Sequence, residues 1–275
     1  MIIDTHQHFW NYDPVEFDWI DNEMAAIRRD FLPGDLKKAT TGTGVEGVIS
    51  IQARQCEEET GWLLELAASH ELIKGVVGWL PLAGGDIRRL LDRYAGNSRL
   101  KGLRHVVQGE PDPEFILGKS FNAGVSLLKE YKLLYEILIF ARQLPNAIRF
   151  VDRHPDQTFV LDHIAKPGIR DYEIGEWSLH LKELAKRENV SCKISGMVTE
   201  ADYRHWTTEQ LQPYFDVVLE AFGPSRLLFG SDWPVCLVAT GYSAWLELVK
   251  KALSGLSREE QDQIFYKNAL KIYRL

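Results

Sequence analysis

The chain has 275 residues, 45% hydrophobic and 26% charged, with a formal net charge of -7, the make-up of a soluble globular protein able to bury a large core. The negative balance and the lack of a basic run exclude nucleic acid and an anionic membrane surface as expected partners. Three scattered cysteines, Cys56, Cys192 and Cys236, suggest neither a disulfide framework nor a thiolate metal site, and no signal-peptide pattern is present, so the sequence predicts a cytoplasmic protein.

Residues 2–8 form the first apolar run and carry His6 and His8. Side chains two apart on a strand share a face, so both imidazoles project the same way, about 6.6 Å apart along the backbone. They are close enough to share one ion or one substrate oxygen. Further apolar or β-branched runs follow at 45–52, 73–80, 100–108, 133–140, 157–166, 190–195 and 226–233. The gaps carry apolar residues at spacings of three and four over 57–69, 86–95, 114–131, 147–154, 176–187, 209–222 and 242–253, the pattern of amphipathic helices.

The final stretch, 257–275, opens with Ser257 three residues before Glu260, a capping box, and offers Ile264, Phe265, Leu270 and Ile272 as a buried stripe. Alternating strands and helices predict a parallel sheet. No glycine-rich phosphate turn follows the first strand, which argues against an open doubly wound sheet. No linker marks a second domain. The fold class is therefore α/β, with residues 1–275 as a single (β/α)8 TIM-type barrel sealed by an extra C-terminal helix.

In such a barrel the strand C-termini form the active-site mouth. The polar residues at those ends include His6, His8, Gln52, Arg104, His105, Asp162, His163, Lys166, Lys193, Ser195 and Asp232. Asp232 ends a buried strand, and a buried carboxylate requires an ion, a donor network or a catalytic water. Arg104 and His105 are adjacent, so a regular strand turns only one inward; Arg104 is the expected one, with His105 reaching the site if the strand ends there. Gln52, Lys166 and Lys193 are expected to bind substrate. Trp10 lies in an aromatic loop with Phe9, Tyr12, Phe17 and Trp19, whose faces suit a sugar ring. His70, His154, His180 and His205 read as surface groups.

These residues carry a family resemblance. His6 and His8, then Leu161, Asp162 and His163, then the stretch FGSDWP around Asp232 resemble the amidohydrolase superfamily of (β/α)8 hydrolases. The stretches DTHQHFW from Asp4, KGLRHVVQ from Lys101, CKISG from Cys192 and NALKIY from Asn268 are similar to its sugar-lactonase branch, the fuconolactonase and rhamnonolactonase group. The resemblance runs from Ile2 to Arg274. It implies hydrolysis with Asp232 as general base. Binuclear members carry a bridging lysine or carboxylate on strand four and histidines on strands five and six; this chain offers only His163, so a two-metal centre is not expected. His6, His8, His163 and Asp232 form a ligand set for one zinc ion. Members of the branch also work without a required metal, so zinc-bound and metal-free versions both stand.

In either version the expected reaction opens the ring ester of a sugar lactone, the small-molecule partner. Asp232 takes a proton from water and returns it to the ring oxygen, while His6, His8 and His163, or the ion they hold, polarise the carbonyl with help from Arg104. The competing readings are a metal-dependent decarboxylase of the same superfamily and a hydrolase of dicarboxylate lactones. The latter requires converging arginines, for which Arg54, Arg104 and Arg142 are the candidates. The chain is expected to act as a monomer or small homo-oligomer.

Overall fold

The computed structural model describes residues 1–275. Eight parallel strands, β1 (Ile2–Gln7), β2 (Val45–Ile51), β3 (Ile73–Gly78), β4 (Leu100–His105), β5 (Leu134–Ile137), β6 (Phe159–Leu161), β7 (Val190–Ile194) and β8 (Leu227–Phe229), pair in chain order within one sheet. Each apolar run yields a strand, but the strands stop short of the runs. In the run at 157–166 only three residues join the ladder, yet Asp162, His163, Ile164 and Ala165 stay buried. Burial at the mouth, rather than pairing, accounts for the extra apolar length.

Between β8 and β1 the sheet closes through loop residues. The Thr5 hydroxyl donates to the Phe229 carbonyl (2.7 Å), the Asp232 amide to the His6 carbonyl (2.8 Å) and the His8 amide to the Trp233 carbonyl (2.8 Å). The seam that completes the barrel therefore clamps Asp232 beside His6 of β1 and His8 just beyond it. Gly230 makes that approach possible, because a Cβ there would lie 2.8 Å from the Cβ of His6.

Helices α1 (Pro33–Thr40), α2 (Glu57–Ser69), α3 (Ile87–Tyr94), α4 (Lys119–Leu127), α5 (Leu144–Asp152), α6 (Gly175–Ala185), α7 (Thr208–Phe222) and α8 (Tyr242–Ala252) occupy the crossovers. α1 has no counterpart among the expected helices. That helix starts on a proline and buries only Leu36 and Thr40, so no apolar stripe announces it. The expected helix at 114–131 is instead α4 between two short 3-10 turns, Phe115–Leu117 and Leu128–Tyr131. His154, read as a surface group, is buried among Phe150 and Phe159 and bonds to Asn122.

The chain ends with Arg258–Asp262, a π-helical turn at Gln263–Lys267 and Asn268–Ile272. The capping box is present: the Glu260 amide donates to Ser257 Oγ and the Ser257 amide to Glu260 Oε2. Ile264 and Phe265 are buried as expected, whereas Leu270 is exposed and Ala269 and Tyr273 are buried instead. The π turn adds one residue to the coil and so rotates the inward face. Ala269 and Tyr273 pack with Ile3, Ile49, Val77, Leu134 and Leu228 to fill the barrel interior, while the larger apolar layer lies between sheet and helices. No helix is long and apolar enough to cross a membrane.

Candidate active site

β1 departs from regular alternation where its polar residues begin. Asp4 pairs with Val48 and Gln7 with Ser50, three steps against two, so the strand bulges and its side-chain phase flips. Asp4, which alternation would align with His6, instead accepts from the amides of His6 (3.0 Å) and Ser231 (2.9 Å) and from the Tyr242 hydroxyl on α8 (2.9 Å). His6 and His8 turn to the mouth together, their Nε2 atoms 3.2 Å apart.

The two rings differ in what surrounds them. His8 Nδ1 lies 2.9 Å from the Ile51 carbonyl, which can only accept, so Nδ1 carries the proton and Nε2 of the neutral ring presents a lone pair. In this tautomer His8 offers the cavity an acceptor, so of the expected ways of polarising a carbonyl it suits ligation of an ion rather than N–H donation. His6 sits between two cations, with Arg104 Nη1 3.3 Å from Nε2 and Lys193 Nζ 3.2 Å from Nδ1. Burial and then Lys193 hold its pKa well below the usual histidine value.

Asp162 and His163 are adjacent, and a regular strand would send them to opposite faces. The backbone turns left-handed instead: His163, Ile164, Ala165 and Lys166 have φ of 51°, 49°, 63° and 48°. Such geometry is costly for non-glycine residues, at about 1–3 kcal/mol each, and worst for β-branched Ile164. It brings His163 back over the mouth, with Nδ1 2.9 Å from Ser195 Oγ. Gly196 leaves the space, since a Cβ there would lie 2.5 Å from that nitrogen. Burial pushes the His163 pKa down to about 4. Asp232, itself at φ 57°, completes the cluster: its Oδ1 lies 3.8, 3.6 and 3.9 Å from Nε2 of His6, His8 and His163. Burial opposes its ionisation, but His163 and His8 outweigh that and hold it below the usual carboxylate value.

A buried ionic layer supports this cluster from below. Arg104 donates to Asp162 Oδ2 (3.0 Å) and to Gln52 Oε1 (2.8 Å). Lys193 Nζ meets Glu136 Oε2 (2.5 Å) and Asp162 Oδ1 (3.1 Å), and the Tyr273 hydroxyl donates to the other oxygen of Glu136 (2.6 Å). Burial opposes the charge on Asp162, yet Lys193, His6 and Arg104 hold its pKa well below normal. Neither Glu136 nor Tyr273 is among the expected site residues. The signal for Glu136 was a lone carboxylate inside the apolar run LLYEILIF.

A cavity of about 480 Å³ opens above the cluster, lined by His8, Arg104, His163 and Asp232 at its floor and by Trp10, Trp19, Arg54 and Lys166 on its walls. Three expected substrate-binding residues fall outside it. Gln52 and Lys193 are fully buried beneath the floor, where they hold Arg104 and His6. His105 points away, because Arg104 takes the inward position: its Nδ1 accepts from Trp79 Nε1, its Nε2 meets Glu110 at 2.6 Å and its ring stacks on Phe115. Of the aromatic loop only Trp10 and Trp19 reach the cavity; Phe9 and Phe17 pack into the core. Glu16 and Gln108 also line it and were not foreseen. Glu16 sits in a loop segment with no periodicity to orient it.

The donor chemistry fits a metal ion. Ligand atoms of His6, His8 and Asp232 lie within 4.8 Å of one another, and the 3.2 Å between the two Nε2 atoms suits nitrogens sharing a tetrahedral ion at about 2.0–2.1 Å. The Ile51 carbonyl fixes His8 in the tautomer that ligation requires. His163 Nε2 lies 3.9 Å from the same Asp232 oxygen and its ring packs 4.2 Å from that of His6, so His163 stands beside this group.

An amidohydrolase family model matches residues 3–275. An L-fucono-1,5-lactonase of Burkholderia multivorans is 38% identical, with 99% of this chain and 96% of that protein covered. An L-fucono-1,5-lactonase of Burkholderia ambifaria is 32% identical over 99% of this chain and 95% of its own. Among solved structures, an amidohydrolase of Burkholderia multivorans with bound zinc superposes with a TM-score of 0.97 at 37% identity, covering 100% of this chain and 99% of that one.

Proposed function

Since the chain belongs to the amidohydrolase family, we propose that its barrel mouth opens the ring ester of a sugar lactone, with L-fucono-1,5-lactone as substrate. The enzyme is a hydrolase of lactone ester bonds, in keeping with its L-fucono-1,5-lactonase relatives. One observation carries the site assignment: the Asp232 carboxylate, at the floor of a single cavity with His8 and His163, stands within 4 Å of three imidazole Nε2 atoms, the third being that of buried His6.

Asp232 is ionised at neutral pH and accepts the proton of the attacking water, then delivers it to the ring oxygen as the alkoxide leaves. His8 Nε2 presents a lone pair to the same space and orients that water by accepting from it. Negative charge growing on the carbonyl oxygen falls near the Arg104 guanidinium, whose N–H groups are held by Gln52, Asp162 and His6, and meets the donors of Lys166 and, with Ser195 donating to Nδ1, the Nε2–H of His163. One well-placed donor contributes about 2.7–4 kcal/mol. Zinc held by His6, His8 and Asp232 would polarise the carbonyl as a Lewis acid. Every cation lining the cavity already faces a carboxylate: Arg104 faces Asp162 at 3.0 Å, Arg54 faces Glu16 at 2.9 Å and Lys166 faces Glu200 at 3.4 Å. Arg142 stacks on Phe140 and does not line it. The pocket therefore suits a neutral lactone, and the decarboxylase and dicarboxylate readings are not favoured.

Acid release followed with a pH indicator across a panel of aldonolactones tests the reading; absence of turnover on every member would refute it. Two further outcomes are expected. First, kcat/KM stays flat from about pH 8 down to about pH 5, because Asp232 remains ionised and His163 neutral across that range. An acid limb near the usual histidine pKa would contradict this. Second, protein incubated with zinc and desalted retains about one ion per chain by elemental analysis, and His8→Ala retains none. Equal zinc in both proteins would exclude this ligand set.

A further inference from the structure

Glu16 and Arg54 meet at the cavity wall from different loops, one between β1 and α1 and the other between β2 and α2, with Oε2 2.9 Å from Nη1. Only two carboxylates line the cavity. Asp232 is buried on the floor, whereas the side chain of Glu16 is 54% exposed at the rim and has no part in the chemistry above. Beside it Trp19 stands edge-on to Trp10, ring centres 6.1 Å apart, leaving its indole partly open. An acceptor-only group next to indole faces matches a polyhydroxy ring, which offers O–H donors at its edge and C–H groups on its face.

Arg54 is held from behind as well. Glu59, at the start of α2, accepts from the amides of Ala53 (2.9 Å) and Arg54 (2.8 Å), and its other oxygen lies 3.8 Å from Arg54 Nε. The guanidinium is thus fixed in place and its outer edge is occupied by Glu16. A carboxylate on the substrate would have to displace Glu16 from Arg54 or sit against it as a like charge.

We propose that Glu16 is a specificity-determining residue: its carboxylate accepts hydrogen bonds from the hydroxyls of a neutral sugar lactone and, by occupying Arg54, bars lactones that carry a carboxylate. This rests on the lactonase reading above. Neutralising Glu16 leaves Arg54 as a planar bidentate donor turned to the substrate, suited to the anion now excluded.

The test compares L-galactono-1,4-lactone with the galactaro-1,4-lactone of the same configuration, which differ only in a hydroxymethyl or a carboxylate at C6. The wild type prefers the neutral lactone. Glu16→Gln, which keeps the size of the side chain, shifts the ratio of kcat/KM values toward the acid lactone by about 10–100-fold. Adding Arg54→Gln abolishes the shift. An unmoved ratio in Glu16→Gln, or a shift that survives in the double variant, overturns the proposal while leaving the lactonase reading intact. A wild type that opens no aldonolactone, L-fucono-1,5-lactone included, overturns both.

Discussion

Asp232→Asn lowers kcat/KM for L-fucono-1,5-lactone by about a thousandfold or more, or about 4 kcal/mol of transition-state stabilisation. The amide keeps the shape of the side chain but cannot take a proton from water, and the three imidazoles around it lose the one carboxylate they share. The fold is expected to survive, since the bonds that close the barrel here run through the backbone of Asp232, His6 and His8. Circular dichroism and thermal unfolding near wild type would accompany the loss. If zinc stays bound in the variant while activity falls, the proton-transfer role is separated from a ligand role. Turnover within tenfold of wild type would remove Asp232 from the mechanism.

The barrel was legible because eight apolar runs alternating with amphipathic stretches leave few topologies, and because His6, His8, His163 and Asp232 all fall where strands end. Their mutual placement was not legible, since it depends on breaks in regular structure. Period-two alternation handles Arg104 and His105 correctly, turning the first inward and the second toward Phe115. The same rule fails at Asp162 and His163, where the left-handed turn lets neighbours serve one site, and at Asp4, where a bulge changes the phase. Neither break has a glycine to announce it. Lys193 and Gln52 were expected at the substrate because they stand near strand ends, but mid-barrel depth is set by strand stagger, which the order of residues does not reveal. Short α1 and the rotated C-terminal face behind the π turn were missed for a related reason: each lacks an unbroken 3.6-residue stripe.

Lys193→Met destabilises the protein by about 3–5 kcal/mol at neutral pH, because removing one partner of a buried ionic group leaves the others uncompensated. Lys193, Glu136 and Asp162 are all fully buried, and Met fills similar volume, so lost packing is a minor part. At about 2–4 °C per kcal/mol for a chain of this size, the melting temperature drops by roughly 10 °C. The penalty also depends on pH with a definite sign. Burial, against the pull of Lys193, holds the Glu136 pKa up at about 7, above its ordinary 4.5. Between those values the folded chain keeps a proton that the unfolded chain releases, so stability falls as pH rises through that window. Without Lys193 the folded pKa climbs further and the loss continues above pH 7. The variant is therefore closest to wild type near pH 5 and furthest from it near pH 8. Glu136→Gln in the same background recovers part of the stability, since Asp162 keeps Arg104 as its partner, and flattens the pH dependence. A Lys193→Met protein that melts with wild type at pH 8 would show that the buried ionic layer does not hold the catalytic floor.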